Sequence, residues 1–234
     1  MKQIELGSCF VRSWNLYKSE FGLIFFTTLV ITIAAGAASG FPYIGPVIGM
    51  LLNGVLYGGL YFFYLKLIRG QKAELPDAFE GFKTSLGPLI LAGLVTNVLI
   101  VAAFMIAALP SLFTVVPVLI RYAENPEMAP DILLTALGIG SVLNLVFCIL
   151  VVLALYLLWI FAFPLIMDRR MDFWPAMEAS RKTVMANLGT MTGLLLVGIL
   201  LGLIGVLACC IGIFFTLPIF YGAVAYAYED LFGS

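Results

Sequence analysis

Charge is missing from four long stretches of this chain, and that absence constrains its fold more than any motif does. No Asp, Glu, Lys or Arg occurs in 21–65, 84–120, 132–167 or 183–228. A hydrocarbon core of ~30 Å is crossed by about 20 helical residues rising ~1.5 Å each, so every run is long enough to span it. Only 11% of the 234 residues are charged and 63% are hydrophobic, whereas a soluble domain carries about 25% charge. Lipid, rather than an oversized soluble core, is the solvent this pattern implies.

The runs predict an all-α fold, a polytopic transmembrane helical bundle of about six spans arranged as three hairpins. The spans are expected near 21–39, 47–65, 87–109, 142–164, 188–209 and 214–228. Gly40-Phe41-Pro42-Tyr43-Ile44-Gly45-Pro46 reads as a tight turn between the first two, because two prolines and two glycines cannot continue a helix. Pro110 stops the third span. Pro117, Pro126 and Pro130, with Glu124, Glu127 and Asp131, then mark an outer excursion. The run 132–167 would be roughly 54 Å as one helix, so a break is expected near Gly138-Ile139-Gly140-Ser141; a single tilted helix is the alternative. Cys210-Ile211-Gly212 joins the last two spans. The N-terminal residues Lys2, Glu5, Arg12, Lys18 and Glu20 lack the order of a cleavable signal peptide.

An amphipathic segment prefaces each hairpin. At 100° per residue Leu6, Cys9, Phe10, Trp14, Leu16, Tyr17 and Phe21 share one face of a first helix, with Arg12, Asn15 and Lys18 opposite. In the second, Asp77 as N-cap and Glu80 form a capping box, and Leu75, Phe79, Phe82 and Leu86 share an arc. The third groups Phe173, Trp174, Met177, Val184, Met185 and Leu188. Such helices suit the membrane interface. They give a single transmembrane domain, 1–234, with possible repeat units 4–69, 74–168 and 172–232. A short match, Ala78-Phe79-Glu80-Gly81-Phe82-Lys83 beside Ala176-Met177-Glu178-Ala179-Ser180-Arg181, accompanies the repeat.

Of the twelve Lys and Arg, all but Arg121 fall on one side of this layout. Short basic segments stay cytoplasmic, so both termini are expected inside a cell membrane, in a bacterium the inner one. The eleven basic residues on that side face ten acidic ones. A balance so close to zero argues against nucleic acid as a partner.

Chemistry-bearing groups are few. Glycines four apart (Gly36/Gly40, Gly45/Gly49, Gly54/Gly58, Gly189/Gly193, Gly198/Gly202) allow close helix approach, within the chain or across a homo-oligomer. Asn53 and Asn97 lie inside spans, where an amide bridges helices or touches a polar ligand. Arg181, with Arg169 and Arg170, stands at a membrane boundary, able to fork onto a lipid phosphate, snorkel, or pair with Glu178, Asp168 or Asp172. The four cysteines, Cys9, Cys148, Cys209 and Cys210, make neither a disulfide framework nor a zinc-site spacing. Histidine is absent, no carboxylate lies in a span, and there is no phosphate-binding G-x-x-x-x-G-K-[ST] loop. No cofactor is expected, and no enzyme.

The C-terminal part resembles a family of uncharacterised bacterial multi-pass integral membrane proteins. The likeness rests on Phe163-Pro164-Leu165-Ile166-x-Asp168, Ala176-Met177-Glu178-Ala179-Ser180-Arg181, Gly212-x-x-x-Thr216-x-Pro218 and Ala225-Tyr226-x-Tyr228-Glu229-Asp230-Leu231-Phe232. It covers roughly 163–232. More distantly, the chain is similar to the membrane domain of some glycerophosphodiester phosphodiesterases, without their soluble catalytic domain. The resemblance implies a helical membrane fold and carries over no catalytic residue. The expectation is a non-enzymatic membrane protein that binds lipid or a membrane partner protein, or else a permease for an uncharged or apolar solute.

Overall fold

The computed structural model describes residues 5–124, 139–208 and 212–233, which are helical with no strand among them. Helix α1 is Leu6–Ser19, α2 Phe21–Ser39 and α3 Gly45–Ile68. A 3-10 turn, Leu75–Phe79, leads into the short α4, Glu80–Thr84. Then follow α5 (Leu86–Glu124), α6 (Ile139–Leu158), α7 (Ala162–Arg169), α8 (Phe173–Ala186), α9 (Leu188–Leu207) and α10 (Gly212–Phe232). Packing divides the chain into two compact units, Met1–Val95 with Leu157–Ser234, and Thr96–Tyr156. These boundaries fall inside α5 and α6.

Five of the described helical segments are long and apolar enough to cross a membrane: Phe21–Ser39, Gly45–Ile68, Leu86–Ile106, Val142–Arg169 and Leu188–Leu207. The sixth expected span forms as α10 but is not among them. Thr216, Pro218, Tyr221, Tyr226, Tyr228, Glu229 and Asp230 dilute its apolar character. Protein surrounds it instead: Pro218, Tyr221 to Ala225, Ala227 and Tyr228 are all buried.

Three expectations change. The apolar third span ends before Pro110, at Ile106, but the helix does not: α5 runs through both Pro110 and Pro117. Each proline deletes one backbone rung, and helix-forming neighbours such as Met105 and Leu109 sustain the rest. The fourth span carries a break that the sequence did not lead one to expect, at 159–161 between α6 and α7, whereas the one expected near 138–141 lies partly outside the described residues. Pro164 explains the break at 159–161, since its ring has no N–H for the Ile160 carbonyl and would clash with it in a continuous helix. Ile139-Gly140-Ser141 are helical, while Gly138 lies outside the described residues, as do Pro126, Glu127, Pro130, Asp131 and the Cys209-Cys210-Ile211 turn. Finally, Asp77 caps backwards: its Oδ2 accepts the Glu74 N–H at 2.8 Å, shifting the capping box three residues upstream.

Small residues set the spacing in the first unit. A Cβ at Gly59 of α3 would run into the carbonyl of Ala78 in the 3-10 turn, and one at Gly81 would lie 2.8 Å from the Val55 carbonyl. Gly54 meets the Leu89 carbonyl and Gly58 the Leu89 side chain. The Gly54/Gly58 pair therefore seats elements of this same chain, whereas Gly36, Gly189 and Gly202 face open space. Around this contact Val55, Leu60, Phe63, Tyr64 and Leu89 form a sealed core. The second unit comprises most of α5 and α6, and its described residues are largely exposed and apolar.

Candidate functional site

Four of the seven ion pairs among the described residues gather near the C-terminal ends of α3, α7 and α10. Arg69 follows the last residue of α3, Asp168 is in the final turn of α7, and Glu229 is in that of α10. The Arg69 guanidinium forks onto both oxygens of Asp168 and donates to Glu229 Oε2 through Nε (3.1 Å) and Nη2 (2.9 Å). Tyr228 donates its hydroxyl to Asp168 Oδ2 at 2.9 Å. A cation at the carboxyl end of a helix also meets the negative end of its dipole. The hydrogen bond to Asp168 and then that to Glu229 raise the Arg69 pKa further against the opposing effect of burial. With its donors committed, Arg69 is a tie between three helices.

A second tie holds α1 to α10. Arg12 forks onto Asp230 and lies 4.7 Å above the Tyr226 ring. The Cys9 thiol donates to Asp230 Oδ2 at 3.7 Å. Burial, then the nearby Asp230 charge, push the thiol pKa up, so Cys9 is a protonated donor rather than a nucleophile. Lys66 donates to Asp77 Oδ2 at 2.8 Å, fixing the 3-10 turn to α3. Among the described residues no three His, Cys, Asp or Glu side chains group as metal ligands.

Deeper in the unit, hydroxyls take the place of charges. Tyr64 on α3 is sealed from solvent; its hydroxyl donates to the Pro218 carbonyl (3.1 Å) and receives Thr28 Oγ1 (2.9 Å). Ser13 of α1 donates to the Ile219 carbonyl at 2.7 Å, where Gly222 gives room for it. Tyr17 Oη, Thr27 Oγ1 and Asn53 Oδ1 are buried without a hydrogen-bond partner. The buried stripe of α1 is thus Cys9, Ser13 and Tyr17, while Trp14 on the expected apolar face stays exposed under Lys18.

The residues singled out from sequence separate. Arg181 is exposed and forks onto Glu178, its Nε at 2.9 Å and Nη2 at 2.8 Å; that bond first, then the charge, hold the Glu178 pKa down at about 2. Arg169 donates to the Phe232 carbonyl and lies over that ring. Arg170, with the left-handed φ of 53°, ends α7 and donates to Ser85 Oγ at 3.3 Å. Asn53 belongs to α3 in the first unit and Asn97 to α5 in the second.

Sequence reasoning missed Ser13, Thr28, Tyr64 and Ser180, whose hydroxyls do the internal joining. Ser180 had a signal: it stands four residues before Val184 and four after Ala176, on the buried arc of α8. The motif Phe163 to Asp168 and the motif Ala225 to Phe232 meet in the structure, where Asp168 accepts from Tyr228. No family model, curated protein or solved structure matches the chain.

Proposed function

We propose that this chain is a non-enzymatic integral protein of the cell membrane, with both termini in the cytoplasm, that binds lipid or a membrane partner protein. One observation carries the reading. Arg12 with Asp230, Lys66 with Asp77, Arg69 with Asp168 and Glu229, and Arg181 with Glu178 are paired at helix ends and in α1 and α8, while bulky apolar residues stand exposed along the spans. Trp14 and Trp174, each beside charged neighbours, are exposed on α1 and α8, and such rings settle at headgroup depth. Placing this end in the cytoplasm follows the distribution of Lys and Arg. The likeness of 163–232 to bacterial multi-pass membrane proteins belongs to the same proposal. Native mass spectrometry after gentle extraction tests it: retained lipid or a second protein is the expected result, and a bare chain would defeat it. Tags at Glu124 and Asp172 should report opposite compartments.

A second reading has its own support. The fourth span is interrupted, and Asn53 Oδ1 is buried without a partner. Interrupted spans with free polar groups bind solutes in transporters. A permease for an uncharged or apolar small solute would show flux in proteoliposomes, abolished by Asn53→Leu; a sealed vesicle would dismiss it.

A further inference from the structure

The interruption of the fourth span is repaired from outside the span. In a continuous helix the Leu158 carbonyl would accept the Ala162 N–H, and the Leu157 carbonyl the Phe161 N–H. Here Ala162 N–H turns to Trp159 at 3.0 Å and Ile160 N–H takes Leu157 at 3.3 Å. One acceptor, Leu158 C=O, and one donor, Phe161 N–H, are left over in a buried place. Ser180 of α8 satisfies both: its Oγ accepts the Phe161 N–H at 3.2 Å and donates to Leu158 O at 2.8 Å. Ser180 and Phe161 are each fully buried. A side chain inserted into a helix ladder in this way is a recognised cause of a bend.

The same helix has another side. Ala176, Met177, Ser180 and Val184 of α8 are buried, while Trp174 (62% exposed) and Met185 (57%) point away from that packing. Leu188 follows at the start of α9, whose Leu196, Leu200 and Leu203 are exposed too. Arg181 and Lys182 are exposed on that same outward side, so α8 presents Trp174 and Met185 beside basic side chains and leads into the apolar side of a membrane span; a lipid surface, with headgroups above tails, is the occupant that fits both.

We infer that α8 couples the membrane surface to the fourth span, the Ser180 hydroxyl closing the break at 159–161 when α8 is seated on lipid. Unseating α8 withdraws the hydroxyl and leaves Leu158 C=O and Phe161 N–H unpaired, so the junction loosens. This rests on the membrane reading above.

Hydrogen exchange of the peptide covering 157–163, measured by mass spectrometry on the full chain in phosphatidylcholine vesicles, tests the coupling. Ser180→Ala and Trp174→Glu should each speed exchange there by about tenfold or more. Combined, they should add little to either alone, and Ser180→Thr, which keeps the hydroxyl, should stay near the parent rate. Unchanged exchange in Trp174→Glu, or full additivity of the pair, would overturn the inference. Should Ser180→Ala fail to fold, Trp174→Glu beside Ser180→Thr still decides. Trp174 fluorescence, read in a Trp14→Phe/Trp159→Phe background, separates the two levels. A ring open to an aqueous quencher removes the seating and the lipid reading with it, whereas a shielded ring with unaltered exchange removes the coupling alone.

Discussion

The two units are built from similarly apolar sequence, yet they use it oppositely. In the first, apolar side chains meet each other: Phe63, Tyr64, Phe161, Leu165 and Ile166 are sealed, and hydroxyls and ion pairs stitch the helices together. In the second, Cys148 alone is buried among the described residues, and Val98, Phe104, Phe113, Leu143 and Phe147 stand exposed. Nor does burial follow hydropathy among the spans: 56% of the apolar stretch of Gly45–Ile68 is buried, against 17% for the more apolar Leu86–Ile106, which crosses from the first unit into the second. In water such a relation would be perverse. With lipid as solvent it is natural, because tails are as apolar as leucine and association of helices depends on close fit and polar contacts. Polar atoms and glycines, not hydrophobicity, therefore mark where this protein holds itself together.

The comparison breaks most visibly at Gly59. A methyl group there collides with the Ala78 carbonyl, a backbone atom unable to rotate away. Gly59→Ala should cost about 3 kcal/mol or more in a detergent melt. That sign is opposite to the ~1 kcal/mol gain Gly→Ala gives in an open helix, the outcome expected at Gly202. Leu145→Ala in the second unit should shift stability by less than about 0.5 kcal/mol. Equal losses at Gly59 and Leu145 would mean that the two regions are packed alike.

Arg69→Ala comes next. It strands Asp168 and Glu229, whose side chains keep 15% and 25% of their exposure. Removing one partner from a buried charged hydrogen bond costs about 2 kcal/mol, less than a fully sealed pair because water still screens this one. Arg69→Lys cannot fork onto Asp168 and reach Glu229 together, so about half that loss should remain. A melt unmoved by either variant would show that packing, not charge, joins α3, α7 and α10.

How far all this was legible depends on what each feature requires. Long charge-free runs and the three prefacing amphipathic segments fix where helices go, and α2 begins and ends at the expected residues 21 and 39. The break at 159–161 was harder. A proline reads as a stop when seen along the chain, yet Pro110 and Pro117 are absorbed and Pro164 is not. The difference lies in Ser180, distant in sequence, which makes the break tolerable by filling its two vacant hydrogen bonds. For Arg181 a phosphate fork, snorkelling and pairing with Glu178, Asp168 or Asp172 are open from sequence, and the pair with Glu178 is what forms. Arg69, unremarked, is the most connected of the described arginines, because the topology brings three helix ends together and local sequence contains no trace of that.

Acidification gives the finest test, since it acts on a carboxylate that joins two elements of the first unit. Among the described residues of the second unit Glu124 is the one carboxylate; the first has Asp77, which lies outside the spans and is bound to Lys66 at the end of α3. Burial would lift the Asp77 pKa, but the Lys66 hydrogen bond and the Glu74 N–H outweigh it and hold it below the ordinary value. A group lowered by folding contributes its stability in full above its unfolded pKa, about 3.9, and loses it as pH falls through the folded value. The partly exposed pair contributes about 0.5 kcal/mol, so the melt should soften below about pH 4. Asp77→Asn, which retains an acceptor for Glu74 N–H, should lower stability at pH 7 and flatten that response. Hydrogen exchange resolved by region should place the acid loss at the 3-10 turn and the adjoining end of α3, with 142–156 unaffected. An acid response centred on 142–156 would reverse the assignment of polar cohesion to the first unit.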